Sequence, residues 1–567
     1  MILLWLILLP IVAAIVVAFG PTRHARPIAL FTTLAALLGG AYALFTFDYG
    51  NSADFQFAVQ VPWLKQLGVT LSVGADAVSL FLIALTVLLG PICVLASTTA
   101  ITTRERTYYA WFLVLQGAVT GVFAARDLVF FYVCFEFTLI PMFILISLFG
   151  STNRKKAAIK FFLYTFTGSI ITLAGLAYVA WRHVDLGHAL TFDIKTLEAT
   201  SAALPAAVQG WVMLALLLGF AVKVPLFPFH TWLPLAHTEA PTVGSVVLAG
   251  VLLKLGTYGI FRFVLPFTPL AVQEHAPLLA AACIVGILYG GLICWVQTDV
   301  KKLVAYSSVA HLGFCMLGLF AMNNIGLQGS VLYMINHGLS TGALFLLIGM
   351  IYERYHTRSM KELGGLAAKM PVWATFMVFF TMASVGLPGL NGFVSEFFCL
   401  QGAFSASSAW GSGEWGSLGA AIPGATLGSL GPWYAAIAGV GMIVAAMYLL
   451  LMLGKVVWGK LLEPHTQHGK DHHDEPALPA DLTRREIGLL IPLAVLCVVL
   501  GLYPSLITDP LEAPITQTVK ALGQARNAAL AQGTSTDAPA PRSSTNDVPV
   551  ATDSSTPLAS LAEELHP

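Results

Sequence analysis

Charge is what this sequence has least of. Its 567 residues hold 29 lysines and arginines against 29 aspartates and glutamates, so only 10% are charged and the formal net charge is zero. Soluble globular domains carry about a quarter of their residues charged, so a water-facing surface is excluded for most of this chain. The balanced signs give no footprint for nucleic acid or for an acidic partner. Cysteine is scarce too. The seven present (Cys93, Cys134, Cys283, Cys294, Cys315, Cys399 and Cys497) form no C-x-x-C pair. They read as buried, inert thiols, which argues against an iron–sulfur cluster held by this chain. Neither a G-x-G-x-x-G turn after a strand nor a P-loop occurs, so no apparatus for a nucleotide or a flavin is visible. No cofactor and no resident metal are expected here.

Apolar length is what the sequence has in abundance: 57% of its residues are hydrophobic. The apolar runs number about fourteen, each of roughly 18–25 residues and long enough to cross about 30 Å of hydrocarbon. They lie near 2–20, 27–47, 75–98, 107–125, 127–149, 158–181, 208–232, 242–265, 276–297, 302–322, 330–352, 371–403, 434–454 and 486–505. The runs are continuous rather than alternating, which excludes a membrane β-barrel. The fold class is therefore all-α, a polytopic membrane protein. No basic residue precedes the first run and no clear cleavage site follows it, so it reads as a retained helix. Basic residues gather in alternate loops, for example Arg104, Arg106, Arg154, Lys155, Lys301, Lys302, Arg354 and Arg358. The positive-inside rule puts those loops in the cytoplasm and both termini outside.

Four segments follow from this pattern. Residues 1–74 hold two helices and an external loop, and 75–460 form one membrane core. Residues 461–505 carry a cytoplasmic loop and the last span, and 506–567 read as a disordered tail. The loop EPHTQHGKDHHDEP (463–476) brings His465, His468, His472 and His473 beside Asp471 and Asp474, but the spacing fits no zinc template. From about residue 533 the chain is rich in Ser, Thr, Pro and Ala, a composition that cannot bury a core.

Two spans are interrupted alike. The seventh contains KVPLFPFHTWLP (223–234), and the twelfth contains VGLPGLNGFVSEF (385–397). Proline and glycine free backbone groups, which are tolerated at bilayer depth only inside protein or along a wet cavity. The breaks lie five spans apart, which predicts two inverted five-helix repeats with discontinuous helices 7 and 12.

Against this apolar background stand Glu136, Lys223, Lys254 and Glu396, each inside a span. Charge at bilayer depth costs at least about 2.5–3.5 kcal/mol per residue. Glu136, about nine residues into its run, sits roughly 14 Å deep, too far for a short carboxylate to reach the interface. A static ion pair such as Glu136–Lys223 would leave Lys254 and Glu396 without partners. A proton relay uses all four, because desolvation disfavours the charged form of any ionisable group and so eases proton exchange. A Glu136–Lys223 contact at about 4 Å, with an effective dielectric near 20, is worth roughly 4 kcal/mol before desolvation, enough to gate a proton. His311 and His337 lie between Lys254 and Glu396 in chain order, and His230 and His237 flank the end of the seventh span, so all four extend the candidate path.

The segment FAVKVPLFPFHTWLPLAHTEAPTVGSVVLAGVLLKLGTYGIFRF (220–263), with DVKKLVAYSSVAHLGF (299–314), MINHGLSTGALF (334–345) and GLPGLNGFVSEF (386–397), closely resembles the proton-translocating antiporter-like family. These are the large membrane-arm subunits of respiratory complex I, with relatives in multisubunit sodium/proton antiporters and membrane-bound hydrogenases. The resemblance covers about residues 75–460. Within the family, glutamate after the break of the twelfth helix marks the chain M, or chain 4, type, where the L and N types have lysine. The long lateral helix that ends the L type is not expected, because only a low-complexity tail follows the fourteenth span. What the resemblance implies is translocation of protons driven by redox chemistry in partner subunits, which would hold the NADH site, FMN, iron–sulfur clusters and quinone. The implied neighbours are L- and N-like subunits, and the implied setting is the lipid bilayer of a bacterial inner membrane. By the same resemblance, Glu136 and Lys223 are the coupled pair, Lys254 the central relay lysine, His311 and His337 the connectors, and Glu396 the terminal site. Leu235 stands where many relatives have an acid, so an acidic entry group at that position is not carried over. A cation/proton antiporter subunit, a hydrogenase-type pump and an inert spacer remain the alternatives.

Overall fold

A computed structural model describes residues 1–64, 66, 68–406, 428–464 and 480–536. Among them, 13 helices are long and apolar enough to span a membrane. We number the helices α1 (Ile2–Phe19), α2 (Ala25–Thr46), α3 (Ala77–Ala100), α4 (Glu105–Ala124), α5 (Leu128–Phe137), α6 (Leu139–Phe149), α7 (Arg154–Asp185), α8 (Ile194–Ala202), α9 (Ala206–Lys223) and α10 (Trp232–Glu239). The next span is a composite in which α11 (Thr242–Val247), α12 (Leu253–Gly259) and α13 (Leu265–Phe267) are joined by π-helical turns at Leu248–Leu252 and Ile260–Val264. Then follow α14 (Pro269–Trp295), α15 (Val300–Phe320), α16 (Asn324–Tyr355), α17 (Pro371–Val385), α18 (Asn391–Ser405), α19 (Pro432–Val456), α20 (Arg484–Leu502) and α21 (Ser505–Thr536). The twelfth apolar run forms α17 and α18, two 15-residue helices. The seventh run forms α9, which ends at Lys223, and α10, which begins at Trp232.

Short polar breaks become helix starts because an aspartate at each caps the amides that a first turn leaves free. Asp127 accepts from Val129 N and Phe130 N to open α5, and Asp299 does the same for α15 through Lys301 N and Lys302 N. The core is formed by the composite span, α15 and α16, whose most apolar stretches are buried over 94–100% of their residues, against 33–56% for outer helices such as α1, α2, α9, α14 and α20. Charge placed midway along these inner helices is enclosed by protein rather than by lipid. The first helix packs on α2 and α4. All seven cysteines are buried and free.

Two expectations change. Residues 56–75, read as part of an external loop, form an antiparallel hairpin of β1 (Gln56–Leu64) and β2 (Val69–Ala75). Its seat explains it: Thr70 N donates to the cap Asp127 at 3.0 Å, and Phe55 lies under the guanidinium groups of Arg126 and Arg262. Arg262, near the end of the eighth apolar run, lies in the second π-turn of the composite span and pairs with buried Asp76 at 2.5 Å. The segment from 506, read as disordered, is helical to Thr536, so a 32-residue helix does follow the last span. Its Leu511, Ile515 and Leu522 recur at helical spacing and are buried, an anchoring stripe hidden by the polar composition around it. Residues 1–525 form one compact unit, and of 526–567 only the end of that helix is described. Four loop histidines (465, 468, 472 and 473) and the residues past 536 lie outside the described residues.

One ion pair ties the core to the last span. Glu486 receives two bonds from Arg354 of α16 at 2.8 and 2.9 Å and closes a capping box with Thr483. Both side chains are at most 5% exposed. Glu486→Ala leaves a buried guanidinium without its carboxylate, which costs about 3–5 kcal/mol. The expected result is a clear fall in the thermal aggregation temperature of the detergent-solubilised protein, and an unchanged temperature would show the pair to be dispensable.

Candidate functional site

Lys254 stands on α12 between the two π-turns and is fully buried. Its ammonium donates to the carbonyl of Ala249 and to His337 Nδ1, the latter at 2.8 Å. Since a charged lysine can only donate, His337 then accepts at Nδ1 and carries its proton on Nε2. The π-turn supplies the first acceptor: Ala249 lies in the widened turn just before the lysine. His337 sits on α16 with its ring 6.0 Å, centroid to centroid, from that of His311 on α15. The Nε2 atom of each histidine is buried without a protein partner.

From His311 the row continues by direct contact. His311 Nδ1 lies 3.1 Å from Glu396 Oε1 and 2.7 Å from the hydroxyl of Tyr333, which also donates to Glu396 Oε1. All three side chains are at most 4% exposed. Glu396 is held in place by its own helix start. Asn336 Nδ2 of α16 donates to the Asn391 carbonyl at 2.7 Å, and Asn391 Nδ2 returns a bond to the Asn336 carbonyl at 3.3 Å. The break ahead of α18 turns at Gly386, whose φ of +83° suits glycine; a Cβ there would lie 3.0 Å from Glu396 Oε2.

Glu136 and Lys223 are neighbours but make no ion pair within 4.0 Å. The Lys223 ammonium donates to Thr138 Oγ1 at 3.2 Å and lies 4.3 Å from the Phe135 ring centroid. Both contacts sit at the joint of α5 and α6, on either side of Glu136 in sequence. The hydroxyl and the π face take the role expected of the carboxylate, while Glu136 is half-buried with Oε1 lacking a hydrogen bond. The expected Glu136–Lys223 ion pair is therefore not formed here. His237 is fully buried, stacks on Phe345 at 4.7 Å and has neither ring nitrogen bonded. His230 stacks on Phe227 and touches no member of the row by a hydrogen bond.

Two residues escaped sequence reasoning. Tyr333 looked like one more aromatic in an apolar run. Lys301 looked like a loop charge, yet it is 5% exposed, donates to the Ala240 carbonyl at 2.6 Å and has no carboxylate within 4.0 Å among the described residues. It lines a cavity of about 590 Å³ with Arg26, Thr98, Ser151, Glu353 and Arg358, residues of the basic-rich loops and helix ends. Its place two residues after the cap Asp299, in the first turn of α15, was the available signal.

A bundle of membrane-length helices around a buried row of ionisable groups defines an ion-translocating membrane subunit. The family model for "NADH:quinone oxidoreductase/Mrp antiporter, TM" matches residues 125–419. The chain is 39% identical over 513 residues to NADH-quinone oxidoreductase subunit M of Rhodobacter capsulatus, covering 88% of this chain and 93% of that protein. It is 36% identical to NADH-ubiquinone oxidoreductase chain 4 of Marchantia polymorpha, covering 91% of this chain and 96% of that one. Its fold superposes on a chain of respiratory complex I from Thermus thermophilus with a TM-score of 0.78 at 29% identity, covering 92% of this chain and all of that chain. The chain therefore belongs to the NADH:quinone oxidoreductase/Mrp antiporter family of transmembrane subunits, on its subunit M, or chain 4, side.

Proposed function

We propose that this chain carries protons across a bacterial cell membrane as the M-type subunit of an NADH–quinone oxidoreductase. The observation that supports it most is the buried sequence Lys254–His337, His311–Glu396, with direct contacts at both ends and one gap of ring-to-ring width between the histidines. Buried polar atoms without protein partners call for water, and a water between the two Nε2 atoms completes the row. Lys301 receives protons from the cytoplasmic cavity, and Lys254 passes them on. Glu136 and Lys223 set the charge beside the row, and their closing and loosening times the transfer. His230 and His237 serve intake at the break after α9. The two broken spans, seventh and twelfth, are corresponding elements of two inverted repeats. Redox groups reside in partner subunits, and L- and N-like subunits flank this chain.

In vesicles containing the whole complex, NADH oxidation by quinone is expected to acidify the lumen equally in sodium-containing and sodium-free media. A lumen that acidifies on a sodium gradient alone, without NADH, would make the chain a sodium/proton antiporter instead.

A further inference from the structure

The terminal cluster contains a third group. Tyr333 OH, His311 Nδ1 and Glu396 Oε1 are each within hydrogen-bonding distance of the other two. A triangle of this kind cannot be satisfied by one fixed set of protons. The phenol has one O–H and can donate along one edge at a time. When His311 is charged and Glu396 ionised, the carboxylate is the better acceptor, because a charge-assisted bond is about twice as strong as a neutral one. When the proton has crossed, Nδ1 has one lone pair, and the phenol can donate to it once the new carboxyl O–H turns away. Neither a serine-sized hydroxyl nor water would be so constrained. The phenol ring is 4% exposed and lies edge-on to both histidines, at 6.2 Å from His311 and 6.5 Å from His337. Among the described residues, Tyr448 of α19 and Cys399 of its own helix are further titratable groups that face the carboxylate.

We propose that Tyr333 is a proton-handling residue of this chain, a hydroxyl rotor that stabilises both sides of the transfer between His311 and Glu396. The step balances without any co-reactant. The N–H bond at His311 Nδ1 breaks and an O–H bond forms at Glu396 Oε1, so imidazolium and carboxylate become imidazole and carboxylic acid. The phenol keeps its own proton and turns from Oε1 to Nδ1. By serving each state in turn, it keeps the two states close in energy, the condition for fast transfer in both directions. The inference rests on the relay reading of the row.

Tyr333→Phe keeps the ring and its packing and deletes only the hydroxyl. In the purified holoenzyme, with normal subunit content on a native gel, NADH-driven acidification is expected to fall about tenfold. The solvent deuterium isotope effect on coupled quinone reduction is expected to rise, since the crippled transfer becomes rate-limiting. A packing role alone would not raise it. Wild-type rates with a wild-type isotope effect in Tyr333→Phe, beside a Glu396→Gln enzyme that does not pump, would overturn the role of Tyr333 and leave the relay standing. A Glu396→Gln enzyme that pumps normally would remove the relay itself.

Discussion

A Lys254→Met holoenzyme will assemble, and will not acidify vesicles when NADH is supplied. Methionine is close to lysine in length and carries no charge, so it fills the fully buried site without a desolvated ammonium. The cost is that the Ala249 carbonyl and His337 Nδ1 lose their donor, about 1–3 kcal/mol for each buried group left unpaired. A span buried along its whole apolar length absorbs that locally without unfolding. The functional loss is larger. Without Lys254, no ionisable group on α12 reaches His337, and the row is cut at its entrance. Removing a positioned proton donor costs about 10²–10⁴ in rate, so acidification should fall at least about a hundredfold, and quinone reduction should slow with it because coupled steps fail together. An unchanged rate and an unchanged proton-to-electron ratio would remove Lys254 from the path.

Glu396→Gln is expected to be nearly as severe, for a different reason. The amide oxygen can still accept from His311 and Tyr333, so the cluster keeps its shape and α18 keeps its asparagine clamp to α16. What is lost is the ability to bind a proton. His311 then has nowhere to discharge, and the row stays loaded up to that point. Acidification should fall by about two orders of magnitude, while thermal stability of the detergent-solubilised complex stays near wild type. A variant that pumps at the normal ratio would place the exit elsewhere.

Much of this could be read before any coordinates. Runs of membrane length needed only hydropathy, and Lys223, Lys254 and Glu396 were conspicuous because charge is so expensive at their depth. Partners were not legible. Nothing in the spacing of His337 and Lys254, 83 residues apart, says that they touch. Glu136 and Lys223 invited pairing by charge, yet a threonine hydroxyl and a phenyl ring hold the ammonium. Tyr333 and Lys301 were hidden for opposite reasons: one is aromatic among apolar neighbours, the other basic in a basic loop. The hairpin at 56–75 and the helix after residue 505 were missed because each relies on a neighbour for its seat, the hairpin on the cap Asp127 and the helix on a sparse stripe of Leu511, Ile515 and Leu522.

The π-turns on either side of Lys254 carry a lesson about counting. A π-turn accommodates one residue more than the α-turn it replaces. Deleting a single residue from Leu248–Leu252 would let the span close into a regular helix with its hydropathy hardly changed. Later side chains would keep their faces, but the widened turn in which the Ala249 carbonyl accepts from the Lys254 ammonium would be gone. The number of residues in this stretch is therefore part of the site, because it keeps open the turn from which the lysine takes its backbone acceptor.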